Sequence, residues 1–134
     1  MATRLNTALR NILADATASQ FNDGTIEIYT GAQPASANDA STGTLLATVE
    51  LPNPAFSAAS SGVASKNGTW TALAVETDEA GWFRMKSSDG LTIKDGAVTA
   101  VAGGGEIELS NTTITSGSVV VINSATITQP AEVV

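Results

Sequence analysis

The densest group of residues that could perform chemistry is an acidic cluster of Glu76, Asp78 and Glu79. Carboxylate oxygens are the ligands that calcium and magnesium prefer, and glycosidases need two carboxylates that face each other across a cleft. The cluster lacks the D-x-[DN]-x-[DN]-G pattern of a calcium-binding loop, and no pair among the 13 acidic residues has a catalytic signature. The sequence therefore predicts a solvated turn here, and it marks no catalytic, cofactor-binding or metal-ligating residue anywhere in the chain.

A run of three glycines, residues 103–105, has the small side chains that a phosphate-binding loop needs. A P-loop would continue with Lys and then Ser or Thr, and it would lead into a helix whose N-terminus binds the phosphate. Here Glu106 and a predicted strand follow instead. The glycines therefore predict a turn that uses their backbone freedom.

Two adjacent aromatic residues, Trp82 and Phe83, lie on a predicted strand. Successive side chains of a strand point to opposite faces of the sheet, so one of the two is expected to fill the core. The other could cover the second face, lie in a subunit interface or offer a stacking platform for a sugar.

The composition excludes several classes of function. The chain has neither Cys nor His, which removes disulfides, thiolate nucleophiles, Ser-His-Asp triads and the commonest ligands of transition metals. Its net charge of −7 opposes binding to nucleic acid. We find neither 18 consecutive apolar residues nor the apolar core of a secretion signal, and we expect a protein made in a cytoplasm. The chain is not expected to be an enzyme.

One helix is predicted, over residues 3–19, with Thr3 as its N-cap and the sequence Asn22-Asp23-Gly24 after its end. Apolar residues recur on one side of this helix at spacings of three and four: Leu5, Ala8, Leu9, Ile12, Leu13 and Ala16. Two interpretations remain open for this helix. It packs either on the sheet of its own chain or on a different subunit.

The rest of the chain is predicted to be β-strands and turns. Residues 24–51 contain two strands with alternating side chains, joined by a loop at 31–43 that is too long for a tight hairpin, so the two strands need not be neighbours. Turns are expected at residues 88–90 and at Asp95-Gly96, because Asp-Gly pairs favour tight hairpins. The last long strand is predicted to end at Pro130, with the final four residues loose or paired with a neighbouring chain.

These signals predict eight to ten short strands after one helix. The expected fold is all-β: an antiparallel β-sandwich of jelly-roll or Greek-key type, with a closed barrel as the alternative. We expect an N-terminal helix or anchor segment at residues 1–22 and a β-sandwich domain at residues 23–134.

The order of these segments resembles a family of small proteins encoded among the virion-structure genes of tailed bacteriophages and prophages. The resembling segments are TRLNTALRNIL, GTIEIYTGAQPASANDASTGTLLATVELPNPAF, GTWTALA, AGWFRM, DGAVTAV and GGGEIELSNTTITSGSVV, which together cover nearly the full length. The resemblance implies a structural protein of the virion, with a head decoration or minor capsid protein as the favoured function. Neck, collar or tail proteins are the first alternative, and a carbohydrate-binding adhesion module is the second.

The resemblance also implies partners. They would be the major capsid protein or other virion proteins, together with further copies of the chain, for which a trimer is favoured by analogy between folds. The expected contacts are the helix at residues 3–19 and the loop at residues 31–43. No nucleic acid, membrane, cofactor or metal is expected to bind.

Overall fold

A computed structural model describes the backbone of residues 2–133 and the side chains of residues 2–132. The chain is mostly β, with one helix close to the N-terminus, and this much of the predicted fold is confirmed. The helix α1 is Thr7–Ser19. The strands are β1 Thr3–Arg4, β2 Thr25–Tyr29, β3 Leu45–Glu50, β4 Val63–Ser65, β5 Trp70–Leu73, β6 Asp78–Glu79, β7 Trp82–Lys86, β8 Ile93–Ala100, β9 Ile107–Leu109, β10 Thr113–Ile114, β11 Val119–Thr128 and β12 Glu132–Val133.

The main sheet has eight strands and curls around a single core. Its order is β3-β2-β7-β8-β9-β11-β4, and β5 also pairs with β11. The curl brings the end of β5 back to β3, where the Val75 N–H donates a hydrogen bond to the Leu46 carbonyl at 2.8 Å. The core is formed by side chains from both halves of the sheet, including Ile26, Ile28, Phe83, Leu109 and Ile122.

The sheet is mixed, whereas the sequence predicted an antiparallel one. Strands β8 and β9 are parallel neighbours, with Val98 opposite Ile107 and Ala100 opposite Leu109. Only residues 101–106 connect them, so the chain must turn back immediately beside β8. A Cβ atom on Gly103 would lie 2.6 Å from the Thr99 Cβ, which shows why this close return requires glycine. The turn predicted at residues 103–105 is confirmed, and its consequence is the parallel pairing.

The turn predicted at Asp95-Gly96 is wrong, because both residues lie in the middle of β8. Asp95 faces Arg84 across the β7–β8 ladder, and Gly96 faces Phe83. A Cβ atom on Gly96 would lie 2.6 Å from the Phe83 ring. The glycine therefore makes room for a buried aromatic ring rather than for a turn. The turn predicted at residues 88–90 is confirmed, with the Gly90 N–H donating to the Ser87 carbonyl.

The two strands within residues 24–51 are direct antiparallel neighbours, even though the loop between them is long. The predicted alternation is confirmed in β2, where Ile26 and Ile28 are buried. In β3 it is interrupted, because the adjacent Leu46 and Ala47 are both buried beside an irregularity in the register. The C-terminal end is also different from the expectation, since β12 pairs with β1 of the same chain.

The helix begins four residues later than predicted. Asn6 caps it by accepting a hydrogen bond from the Leu9 N–H at 3.0 Å, whereas Thr3 belongs to β1. Asn and Thr are both good N-caps, so the choice follows from the backbone of Thr3, which pairs with Val133.

The contact between Gly96 and the Phe83 ring makes Gly96 a sensitive position. We expect Gly96→Ala to destabilise the protein by about 1–3 kcal/mol, because the added methyl group would overlap the fully buried Phe83 ring. Urea denaturation measures this loss. Ala97→Ser, an exposed change at the next position of β8, is the control and should leave the midpoint nearly unchanged. Equal midpoints for the two variants would contradict the proposed contact.

Candidate functional site

The helix α1 is attached to the β-domain through polar contacts. Three of its side chains bond to backbone groups outside the helix: Arg10 donates to the carbonyls of Ser61 and Gln129, Asn11 accepts from Gly62, and Asp15 accepts from Ala59. These contacts are 2.7–3.0 Å long. Between them, Ala14 and Ala18 are buried and let the helix approach closely. The helix therefore packs on its own chain, which is the first of the two interpretations left open by the sequence.

The face that packs is opposite to the apolar one. At about 100° per residue, Leu9, Ile12 and Ala16 lie roughly opposite Ala14 on the helix. The apolar side chains of this stripe point outward, and Ile12 keeps 63% of its surface exposed. The apolar stripe would ordinarily mark the buried side of a helix, so its outward position is a finding that the sequence pattern did not predict. The cause is that the free backbone groups of residues 59–62 and of Gln129 bond to polar side chains of α1.

An open groove of about 430 Å³ runs between α1 and the start of β8. It is lined mainly by apolar groups, and Leu13, Phe21, Ile93 and Lys94 are among its lining residues. Leu91 directly precedes the groove-lining Thr92 and is 83% exposed. We call the combination of this groove, the exposed stripe of α1 and Leu91 the helix surface.

A second exposed apolar area lies near the start of β11, and we call it the strand surface. It consists of Leu73, Val75, Val119 and Val121. Val119 is directly opposite Leu73 in the β5–β11 ladder, so their side chains are neighbours on one face. The helix contacts Gln129, just beyond the other end of the ten-residue strand β11. At about 3.3 Å per residue, the two surfaces are roughly 30 Å apart along β11.

The predicted acidic cluster is exposed and does not form a metal site. Hydroxyl groups of Thr112 and Thr113 donate to the Glu79 carboxylate at 2.6 and 2.8 Å, and Asp78 accepts from the Glu79 N–H. These hydroxyl hydrogen bonds lower the pKa of Glu79 below its usual value. Within residues 2–132, no group of three or more acidic side chains is placed to hold a metal ion.

The neighbouring aromatics Trp82 and Phe83 point to opposite faces, as predicted. Phe83 lies in the core, whereas Trp82 stacks on Tyr29 with a centroid separation of 4.7 Å. Trp82 is nevertheless only 1% exposed, and the other aromatic side chains of the protein are buried as well. A sugar platform needs an exposed ring, so this arrangement does not favour the carbohydrate-binding alternative.

A buried ion pair beside Trp82 escaped the sequence analysis. The Arg84 guanidinium binds both carboxylate oxygens of Asp95, at 2.8 and 2.9 Å, and lies 5.4 Å from the centre of the Trp82 ring. These bonds raise the pKa of Arg84. The available signal was Arg84 between the apolar residues Phe83 and Met85, but the Asp-Gly pair was interpreted as a turn. The pair is a structural contact between β7 and β8, with no chemistry directed at a ligand.

Comparison of the chain with protein-family models, with curated proteins and with solved structures gives no match. Across the described residues, no helix has the length and apolar character needed to cross a lipid bilayer. The two exposed apolar surfaces are features that no contact within the described residues accounts for.

The Arg84–Asp95 pair predicts strongly non-additive mutations. Asp95→Asn leaves a charged guanidinium nearly buried without its counter-charge, so we expect a loss of about 3–5 kcal/mol in the free energy of unfolding. The double variant Arg84→Met/Asp95→Leu removes both charges and should cost less than the sum of its single changes. Urea denaturation of Arg84→Met, of Asp95→Leu and of the double variant measures this difference. Additive losses would show that the two side chains do not act as a pair.

The bonds to Glu79 predict a dependence of stability on pH. Because the folded state lowers the pKa of Glu79 from its ordinary value of 4.5, its contribution is complete above pH 4.5 and is lost as the pH falls below that value. We expect Glu79→Gln to flatten the acid limb of a plot of denaturation midpoint against pH. Glu76→Gln, at an exposed carboxylate nearby, is the control and should keep the wild-type slope. An acid limb in Glu79→Gln as steep as that of the wild type would contradict this assignment.

Proposed function

We propose that this protein is a non-enzymatic structural component of a tailed-bacteriophage virion. The favoured function is that of a head decoration or minor capsid protein that binds the assembled capsid shell. The observation that carries this proposal is the presence of two separate exposed apolar surfaces on one small, well-packed β-domain. Contiguous apolar surface on a folded protein commonly marks a contact with other proteins, and two such areas allow each copy to contact two different neighbours. The resemblance of the sequence to phage structural proteins is the reason for proposing that these neighbours belong to a virion.

The proposal also concerns the arrangement of the sheet. We infer that its two halves pack face to face in the manner of a β-sandwich, with β3, β2, β7 and β8 in one layer and β9, β11, β4 and β5 in the other. One continuous cluster of buried side chains from both halves supports this interpretation. Small domains of this shape suit a lattice, because they present broad rigid faces to their neighbours.

The strand surface is the proposed contact with the shell. The loop at residues 31–43 leads into β3, and β3 is bound to Val75 through the carbonyl of Leu46. The end of the loop therefore lies beside the strand surface, and the two can contact the same partner. The acidic residues Glu76 and Asp78 border this area and would face basic groups on the shell.

Binding of this kind would stabilise the particle by mass action. A protein that binds the assembled shell and not its separated subunits shifts the equilibrium towards assembly. At a free concentration of 100 times the dissociation constant, each site gains about 2.7 kcal/mol. No catalytic step is needed, and the partners are the major capsid protein and further copies of this chain, with a trimer as the favoured assembly.

The location of the protein in the particle tests this function. We expect immunogold labelling of intact particles to cover the head, and quantitative mass spectrometry of purified particles to give a copy number comparable to that of the capsid lattice. Particles from a strain that lacks the gene are the control, and they should show no label and fall apart at a lower temperature.

Other outcomes of this experiment separate the alternatives. Label at the neck or tail, with a copy number of a dozen or fewer, would replace decoration with a neck, collar or tail function. Absence of the protein from both the images and the mass-spectrometric inventory would overturn the virion proposal.

A further inference from the structure

A recess of about 250 Å³ lies between residues 110–115 and the first residues of β11, at the strand surface. Its apolar lining comes from Ile114 and from the valines at 119–121, and its other lining residues carry hydroxyl or amide groups. Pockets for drug-sized molecules usually have a volume of about 300 Å³ or more. The recess therefore has the size for one long side chain rather than for a whole small molecule.

Two carboxylates border the recess. Strand β6 pairs with β10, which places Glu79 opposite Thr113 and Asp78 opposite Ile114, and both of these partners line the recess. The two oxygens of the Glu79 carboxylate accept one hydrogen bond each, from the hydroxyls of Thr112 and Thr113. These bonds hold the carboxylate in one orientation, and each oxygen has the capacity for a further bond. The Glu79 carboxylate is therefore oriented for a donor with two N–H groups.

The chain supplies no cation to this border. Its sequence has no Lys or Arg between residues 67 and 83, and none after Lys94. Across the described residues, the ion pairs join other carboxylates and include neither Asp78 nor Glu79. The negative charge at the recess is therefore free to attract a cationic group of another molecule.

An arginine side chain fits both parts of this site. Its aliphatic stem can pack on apolar surface while its charged end remains at the edge. Its planar guanidinium forms two parallel hydrogen bonds with a carboxylate, whereas the ammonium of lysine acts as a point charge. The exposed valines of the recess suit the stem, and Glu79 suits the guanidinium. A purely apolar side chain would leave the two carboxylates in the contact without a counter-charge.

We propose that the recess binds one arginine side chain of a partner protein, with the stem on Val119 and Val121 and the guanidinium on Glu79. Leu73, which is opposite Val119 in the β5–β11 ladder, then packs against residues beside that arginine. That the partner is a protein of the shell rests on the proposed function, whereas the preference for a guanidinium follows from the recess itself.

Two small probes of matched shape test this preference. They are N-acetylarginine amide and N-acetylcitrulline amide, in which a neutral urea group replaces the guanidinium. Each probe is titrated into the purified, ¹⁵N-labelled full chain, and NMR follows the backbone amides of residues 110–121. We expect saturable shifts in this segment with the arginine probe, at a dissociation constant of about 1 mM. The citrulline probe should bind more weakly by about threefold or more, because it lacks the charge.

Removal of the Glu79 charge should remove the preference. We expect Glu79→Gln to bind the arginine probe about threefold more weakly than the wild type does, and to bind the citrulline probe equally well. Glu132→Gln is the control, because it removes the same charge from an exposed residue of β12, beyond the other end of β11. It should keep the wild-type preference. A dispersed NMR spectrum shows that each variant is folded.

Three results would overturn the proposal. The first is the absence of saturable shifts in residues 110–121 up to about 10 mM of the arginine probe. The second is equal affinity of the wild type for the two probes, which would show that the guanidinium is not recognised. The third is an equal loss of preference in Glu79→Gln and Glu132→Gln, which would assign the effect to the net charge of the protein.

Particles test the partner separately from the recess. A strain that encodes Glu79→Lys, which places a like charge against the arginine, should yield particles with fewer copies of the protein by quantitative mass spectrometry. Glu132→Lys is the control and should leave the copy number unchanged. An unchanged copy number in Glu79→Lys would overturn the recess as the contact with the shell and leave the virion function standing. Binding of the arginine probe by a protein that is absent from particles would overturn the virion function and leave the recess standing.

Discussion

Strand β11 connects three other strands of the main sheet, because it pairs along its length with β5, β9 and β4. Its ten residues bury Val120 and Ile122 in the first half and Ala125 and Ile127 in the second. The buried positions change from even to odd numbers at an irregularity in the register between Ile122 and Ser124. A β-bulge of this kind inserts one residue and restores the inward direction of the following side chains. Without it, one half of β11 would turn its apolar residues to solvent, and the curled sheet would lose part of its core.

The attachment of α1 depends on the end of this same strand. The Arg10 side chain bonds to the carbonyl of Gln129, directly after β11, and other polar residues of the helix satisfy backbone groups in residues 59–62. The Gln129 carbonyl and the Gly62 N–H are partly buried and need partners, and α1 supplies them from the face that turns inward. The apolar face is left outside as a consequence. The same contacts that complete the fold therefore leave an apolar surface of the helix exposed.

The charged residues are divided between a structural and a surface group. Arg84 and Asp95 are buried and bind each other on the outer side of β7 and β8, next to the stacked rings of Tyr29 and Trp82. The acidic residues near the strand surface are exposed, and Glu79 there accepts hydroxyl hydrogen bonds. Asp15 on α1 and Asp89 beside Leu91 are exposed as well, so both apolar areas have carboxylates at their borders.

The sequence by itself determined the class of the fold, because alternation of apolar and polar residues is a local property of each strand. The burial of Ile26 and Ile28, the opposite directions of Trp82 and Phe83, and the turn at residues 88–90 all follow from such local patterns. Only the tertiary structure decided that Asp95 and Gly96 lie within a strand, since the reasons are Arg84 and the Phe83 ring on a neighbouring strand. The parallel pairing of β8 with β9 also depends on contacts between distant residues. The periodicity of the sequence could not predict that the apolar stripe on α1 points outward. Periodicity locates an apolar face on a helix, but it does not show whether that face packs on the same chain or on another molecule.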